Sequence, residues 1–252
     1  MRITRTWQFL LLCLPAVQSS GQVTPAGSLT ALRARLDGSL ADLSRIVIHE
    51  NIVRYSACGH RVRRLDTVDT VVEVVDGVEQ YAGIWKKGVA YAGIARIGGL
   101  WSFGELATLL RNTRDALAEG SFGLADGTPA IVPFTFPAGS HRWYATIASR
   151  VYWLEVQGRL SVDTSSGDVS RISWTSAPLP AGAGVDRIVW TVDFAPVQVA
   201  GQRFNLPSSA IYKVSRSSPA GASNDRSMVD WNVTTFSDYA RYGSEASLVA
   251  SR

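Results

Sequence analysis

The side chains able to do chemistry are few and scattered. The chain has 3 histidines and 2 cysteines, which narrows metal ligation and nucleophilic catalysis at once. His49-Glu50 opens like the zincin HExxH, but the fifth position is Val53 and the segment has the alternation of a strand, so two imidazoles cannot be turned toward one ion. His49, Cys58 and His60 are the only soft ligands close in sequence. A zinc site takes four protein ligands, or three and a water, at recognisable spacing; here the residues read as ordinary turn positions. No G-x-S-x-G elbow accompanies a base, and His141 reads as a strand-end residue. The paired carboxylates Asp66 and Asp69, and Asp163 and Asp168, fall where turns and solvated strand faces account for them, and Gly98-Gly99 lacks the spacing of a phosphate loop. No catalytic residue, metal or cofactor is therefore assigned, and the expectation is a protein that is not an enzyme.

The aromatic residues carry more. Trp85, Trp101, Trp143, Trp153, Trp174, Trp190 and Trp231 fall mostly at apolar-face positions of strand-like segments. Any one of them is adequately explained by core packing, since tryptophan is usually largely buried. Together they raise the question of whether a curved sheet fills its own concave side. A cavity lined by Leu154, Trp174, Trp190 and Phe194 would accept an acyl chain or another apolar ligand.

The elements that would position these residues are mostly strands. From Arg150 to Val214 the sequence reads as a meander. Tyr152, Leu154, Val156, Leu160 and Val162 lie on one face of its first strand, and Glu155, Gln157, Arg159, Ser161 and Asp163 on the other. Ser165-Ser166-Gly167 turns the next hairpin, and Ile188, Trp190, Val192 and Phe194 repeat the alternation until Pro196, where a bulge or an edge must intervene. Earlier, RIVIHENIVRY and DTVVEVV are strands, the second closed by the hairpin signal Asp76-Gly77, and AIVPFTF, HRWYATIA and SMVDWNVTTF follow the same rule. Two segments have helical period instead. Leu29, Leu32, Leu36, Leu40 and Leu43 form one stripe, with Ser28 as the expected N-cap. Phe103, Leu106, Leu110 and Leu117 form another, opened by Ser102 and Glu105 at capping-box spacing and stopped at Gly120. The expected fold class is α+β and mostly antiparallel β: a curled sheet, or half-barrel, wrapped around two helices, in one domain spanning 22–252.

Residues 1–21 have the layout of a secretory signal peptide: Arg2 and Arg5, an apolar run from Trp7 to Val17, then small polar residues with a cut near Ser20 or Gln22. The run is shorter than the ~20 residues needed to span a bilayer, so no permanent membrane span is expected and the location is periplasmic or secreted. Leu12 before Cys13 is not a lipobox residue. Without Arg2 and Arg5 the 25 basic residues fall to 23 against 21 acids, so nucleic acid is not an expected partner. Cys58 is then left without a disulfide partner. Asn232-Val233-Thr234 matches a glycosylation sequon by pattern only.

Several segments carry a resemblance. The early strands ending in Asp76-Gly77 with Glu79 and Tyr81, the SFGE helix start, the hairpin GRLSVDTSSGDVSRI, the segment RFNLPSSA and the closing FSDYARYGSEASLV resemble uncharacterised secreted proteins of Acidobacteria. More distantly, the pattern of a helix, then strands with D-x-x-S-G and R-I, then a late Leu-Pro, is similar to the LolA/LolB-like lipoprotein-carrier superfamily. The resemblance implies an incomplete barrel around helices and a lipid-like ligand, but it transfers no individual binding residue. The expected partner is an apolar or lipid-like small molecule or, in the alternative, an envelope protein recognised by a module with a filled core.

Overall fold

The structure is a computed structural model of the chain and describes residues 25–43, 46–93, 96–118, 130–216 and 228–241. The expected signal peptide and the Gly120 helix stop lie outside the described residues.

The α+β class is what the structure contains. Ten strands form one antiparallel sheet in the order β4-β3-β2-β1-β12-β11-β10-β9-β8-β5, curled and not closed. Its long members are β1 (Ile46–Cys58), β2 (Arg61–Val75), β3 (Val78–Lys86), β10 (Arg187–Val199), β11 (Gln202–Arg216) and β12 (Met228–Arg241). Shorter are β4 (Val89–Tyr91), β5 (Ala130–Phe136), β8 (Val156–Val162) and β9 (Val169–Ser176). The hairpin β6 (Tyr144–Ile147) with β7 (Arg150–Trp153) forms a separate two-stranded ribbon. Helices α1 (Pro25–Leu43) and α2 (Ala107–Ala118) pack on each other. Among the described residues no helix is long and apolar enough to cross a membrane.

Local chemistry explains most of these boundaries. Val75 pairs with Val78 across Asp76-Gly77, and both turn residues have positive φ, 51° and 72°, the conformation that a two-residue hairpin following the strand twist demands. The β8–β9 turn is held by Asp163, whose carboxylate accepts from the backbone N–H groups of Ser165 and Ser166 and from the Ser165 hydroxyl. Beyond Asp193, β10 pairs with β11 alone, so Pro196 sits where its missing N–H costs the ladder nothing.

Two expectations need correction. The alternation beginning at Tyr152 is not one strand: the chain breaks at Leu154-Glu155, where the Leu154 N–H turns to the Trp143 carbonyl at 2.8 Å, and β7 leaves the main sheet to pair with β6. Sequence period records which face a residue takes and is blind to such a change of partner. Helix α1 also begins at Pro25, not after Ser28, because proline is preorganised for the first helical turn. Its stripe is as expected: Leu32, Leu36 and Leu43 are buried, and Leu29 and Leu40 pack at the margin of the core.

The buried face of the sheet is written in registered rows. One row crosses eight strands as Phe134, Gly158, Trp174, Trp190, Tyr212, Asn232, Arg54 and Asp66. The next runs Val132, Leu160, Ile172, Val192, Ala210, Thr234, Ile52 and Val68. Along the first row the chemistry passes from aromatic through amide to ionic. Gly158 is required there: a Cβ would come within 2.2 Å of the Phe134 ring and 2.4 Å of the Ser173 carbonyl oxygen.

Candidate ligand cavity

The aromatic part of that row floors a cavity of about 730 Å³ between the sheet, the N-terminal half of α2 and the β6–β7 ribbon. Trp174, Trp190 and Tyr212 come from adjacent strands, and Trp143 and the ribbon residues Tyr144 to Ala148 line the cavity with them. The three indoles pack mutually with ring centroids 5.5–5.6 Å apart, and Tyr212 stands edge-on to Trp190 at 6.3 Å. Such geometry sets aromatic edges against faces, which adds to the gain from burial. The indole N–H groups of Trp143, Trp174 and Trp190 make no hydrogen bond, so ring packing alone holds the cluster. A second depression of about 420 Å³, beside Arg64, Asp66 and Lys87, is shallower and lined by charge. Its walls do not suit an apolar ligand.

Another part of the cavity wall is a strap, residues 99–104, held down from several directions. Arg54 donates to the Gly98 carbonyl at 2.5 Å and lies 4.9 Å from the centre of the Trp101 ring. Asn232 donates to the Leu100 carbonyl at 3.1 Å, and Gly104 donates its N–H to the Tyr81 hydroxyl at 3.2 Å. Arg54 is anchored in turn by a bidentate pair with Asp66, at 2.6 and 2.8 Å, which Lys86 joins at 2.9 Å. These contacts hold the Asp66 carboxyl down at about 2, chiefly through the Arg54 hydrogen bonds and against the cost of burial. Asp66 is thus a buried ion-pair partner and not the solvated or turn carboxylate expected from sequence.

Helix α2 is capped from outside its own segment. Ser102 and Glu105 do not bracket the helix start, which lies at Ala107. Instead Oε1 of Glu79, on β3, accepts the N–H groups of Leu106 and Thr108 at 3.0 and 3.1 Å. Its other oxygen accepts the Tyr81 hydroxyl. A carboxylate here satisfies donors that the first turn leaves open and meets the positive end of the helix dipole. Glu50 on β1 and Glu105 are buried near it, and one oxygen of each has no hydrogen-bond partner. Burial raises all three carboxyls. Glu105 is pushed up to about 7, with the Glu79 charge as the second cause. Glu50 is held well above its ordinary value, with Glu105 and Glu79 adding to the burial effect. Glu79 is raised less freely, because Thr108, Leu106 and Tyr81 stabilise its charge.

Of the four residues expected to line a ligand space, Trp174 and Trp190 are in the cavity floor. Leu154 and Phe194 are buried in the surrounding core and are not cavity walls. The sequence names Trp143 within the aromatic set and Glu79 and Tyr81 within the resemblance, but gives none of them, nor Tyr212, a place at a cavity. The signal for Tyr212 was the alternation of AIYKV. That for Glu50 was its place between Ile48 and Ile52 on an apolar face.

The histidines stand apart from the cavity. His49 lies 3.3 Å from the Ser237 hydroxyl and 3.7 Å from carboxylate oxygens of Asp69 and Asp238, and His141 stacks on Trp153. Cys58 is exposed, and among the described residues no group of three His, Cys, Asp or Glu is placed to hold a metal. Asn232 of the sequon pattern is buried.

Comparison with known proteins adds little. No family model matches the chain, and no curated protein does. Among solved structures, a crystal structure of a DUF1329 family protein from Desulfovibrio piger is similar, with 12% identity, coverage of 88% of this chain and 95% of that one, and a TM-score of 0.35. A likeness of that size carries no argument about ligand or activity.

Proposed function

We propose that this chain is an exported, non-catalytic binding protein that holds an apolar or lipid-like small molecule in the concave face of its curled sheet. The supporting observation is the cavity: about 730 Å³, within the range of small-molecule sites, with a floor of Trp174, Trp190 and Tyr212 beneath a strap and a ribbon. The half-barrel arrangement of sheet and helices, and the resemblance to lipoprotein carriers, agree with such a ligand. The same volume speaks against the alternative of an envelope-interaction module with a filled core.

The test is to purify the chain without residues 1–21, extract it with organic solvent for mass spectrometry, and titrate the delipidated protein with a fluorescent fatty-acid probe. Saturable binding, with quenching of the tryptophan cluster, is the expected result. Absence of both a co-purified lipid and saturable binding would overturn the reading.

A further inference from the structure

Three of the large apolar side chains that stay exposed also line the cavity: Val78 at the start of β3, Phe103 on the strap and Tyr144 on the ribbon, each more than half exposed. A side chain that both lines a cavity and meets solvent stands at its opening. The mouth is therefore rimmed by apolar groups from three separate segments, whereas a polar rim would suffice for a ligand that arrives through water.

Beyond Tyr144 the apolar surface continues over one face of the ribbon. Tyr144 pairs with Trp153 and Thr146 with Val151, so these four side chains share a face, and Val151 and Trp153 are exposed on it. The opposite face is used up: Ala145 is buried, and Ile147 and Tyr152 pack on the core. Ala148 and Ser149 take positive φ, 47° and 65°, which turns the ribbon within two residues, and Arg150 is exposed beside the turn. His141 stacks on the Trp153 ring at 4.6 Å and Tyr144 meets it edge-on at 5.4 Å, so the exposed rings are ordered in advance of any partner. Single exposed apolar residues are ordinary. A set of them joined to one opening marks an interaction surface.

Charge says which kind. From His141 to Trp153 the chain carries two arginines and no acid. Among the described residues lining the cavity, only Glu79, Arg142 and Arg216 bear formal charge, and Glu79 is occupied in capping α2. Arg142 lies 3.6 Å from Asp115, and Arg216 lies 2.8 Å from Asp230. Tyrosine and tryptophan beside arginine suit the headgroup layer of a bilayer, which takes the apolar body of each ring, hydrogen-bonds its polar tip and, where the lipid is anionic, attracts the cation. A stable interface with a folded protein needs about 800 Å² on this side, more than four side chains of a two-stranded ribbon supply. Partition into a bilayer needs no complementary surface.

We propose that the β6–β7 ribbon docks the mouth of the cavity on an anionic lipid bilayer, with Tyr144, Val151 and Trp153 entering the headgroup layer. Transfer of a lipid between that bilayer and the cavity rests on the cavity being a lipid site. The docking does not, so the two can be tested apart.

The experiment is flotation of the chain without residues 1–21 with vesicles of phosphatidylethanolamine and phosphatidylglycerol in equal parts, and with vesicles of phosphatidylcholine alone. Wild type floats with the first and much less with the second. Val151→Ser combined with Trp153→Ser lowers the partition coefficient by about tenfold or more, as the loss of buried apolar area requires, and Arg150→Gln lowers it by about fivefold. Ile211→Ser, at an exposed apolar position on β11 that does not line the cavity, leaves it unchanged. Should the double variant fail to fold, Val151→Ser alone gives a smaller loss in the same direction. Failure of wild type to float with the anionic vesicles, equal flotation with both compositions, or an equal loss in Ile211→Ser would each overturn the docking. So would a wild-type dimer in light scattering that the double variant converts to monomer, since the face would then belong to a second copy of this chain. Saturable binding of the fatty-acid probe without flotation sinks the docking and leaves the lipid reading standing; flotation without probe binding does the reverse.

Discussion

The two ends of the row Phe134 to Asp66 solve the same problem, covering the inside of a curled sheet, by opposite means. On strands β5, β8, β9 and β10 the cover is volume: rings stacked edge to face, with Gly158 hollowed out so that Phe134 can lie across it. On β12, β1 and β2 the cover is polar: Asn232 and Arg54 hold the backbone of the strap and its approach, and Asp66 braces Arg54. Apolar packing is non-directional, so the cost of bordering a cavity is lost dispersion contact and not a stranded charge. Buried charge and amide groups are costly without a partner, so that end is position-specific: the Arg54 guanidinium, the Asp66 carboxylate and the Asn232 amide N–H are each paired. A space for an apolar molecule therefore lies over the aromatic end, and the strap that helps to cover it is tied to the polar end.

The sharpest way to break this contrast is Arg54→Leu. It leaves the Asp66 carboxyl buried with Lys86 as its remaining cation and frees Trp101 and the Gly98 carbonyl, so a loss of about 3–5 kcal/mol is expected in urea unfolding, as when one partner of a buried pair is removed. Arg54→Leu combined with Asp66→Leu should recover much of that loss. If the double variant is as unstable as the single one, the ion pair is not what holds this end.

The pH dependence separates two populations of carboxylates within the polar end. Asp66 has its pKa lowered to about 2, so its contribution is complete above the ordinary carboxylate pKa and is lost as pH falls toward 2. Glu105 is raised to about 7, so the native state binds more protons than the unfolded one between about pH 4.3 and 7, and stability falls as pH rises through that window. Together they place the optimum near pH 4–5, below the usual range. Glu105→Gln should remove the neutral-side decline, gaining up to about 3 kcal/mol at pH 8 and little at pH 4.5. Equal unfolding free energies of wild type at pH 5 and 8 would refute this assignment.

How far the sequence foretold these regions follows the same division. The aromatic end was legible, because Trp174 and Trp190 stand at alternate positions of continuous strands, and period 2 assigns faces reliably there. Leu154 and Phe194 shared that signal yet ended in the core beside the cavity. Alternation tells the inward face and not where along it the empty space lies. The polar end was hardly legible. Glu79 caps α2 across 27 and 29 residues of chain, and local spacing instead offered Ser102 and Glu105, which are buried ahead of the helix start. Asp66 looked like a solvated acid because its partners Arg54 and Lys86 come from other strands. Contacts that depend on register between distant strands leave no short-range trace.

The aromatic end should respond to volume and ignore pH. Gly158→Ala places a methyl against the Phe134 ring and the Ser173 carbonyl, and overpacking of this kind costs about 1–3 kcal/mol. The loss should be the same at pH 5 and pH 8 by urea unfolding. A pH-dependent loss would mean that the two ends of the row are mechanically coupled, and the contrast drawn between them would fail.

The smallest effect is expected where charge is exposed. Arg35 on α1 meets Asp168 at 2.5–2.7 Å, the shortest route by which the helix could be pinned electrostatically to the β8–β9 hairpin. Its side chain is 51% exposed, however, and pairs in that setting are worth about 1 kcal/mol or less because water screens the charge and two long side chains must be ordered. Arg203 lies 3.9 Å from the other oxygen of Asp168 and keeps the carboxylate from being stranded. Arg35→Ala should thus lower stability by under about 1 kcal/mol, against about 2–5 kcal/mol for Leu36→Ala on the buried stripe of the same helix. Were Arg35→Ala the more damaging of the two in urea unfolding, α1 would be docked by charge, and the division of the interior into an apolar end held by packing and a polar end held by partners would need redrawing to include the helix.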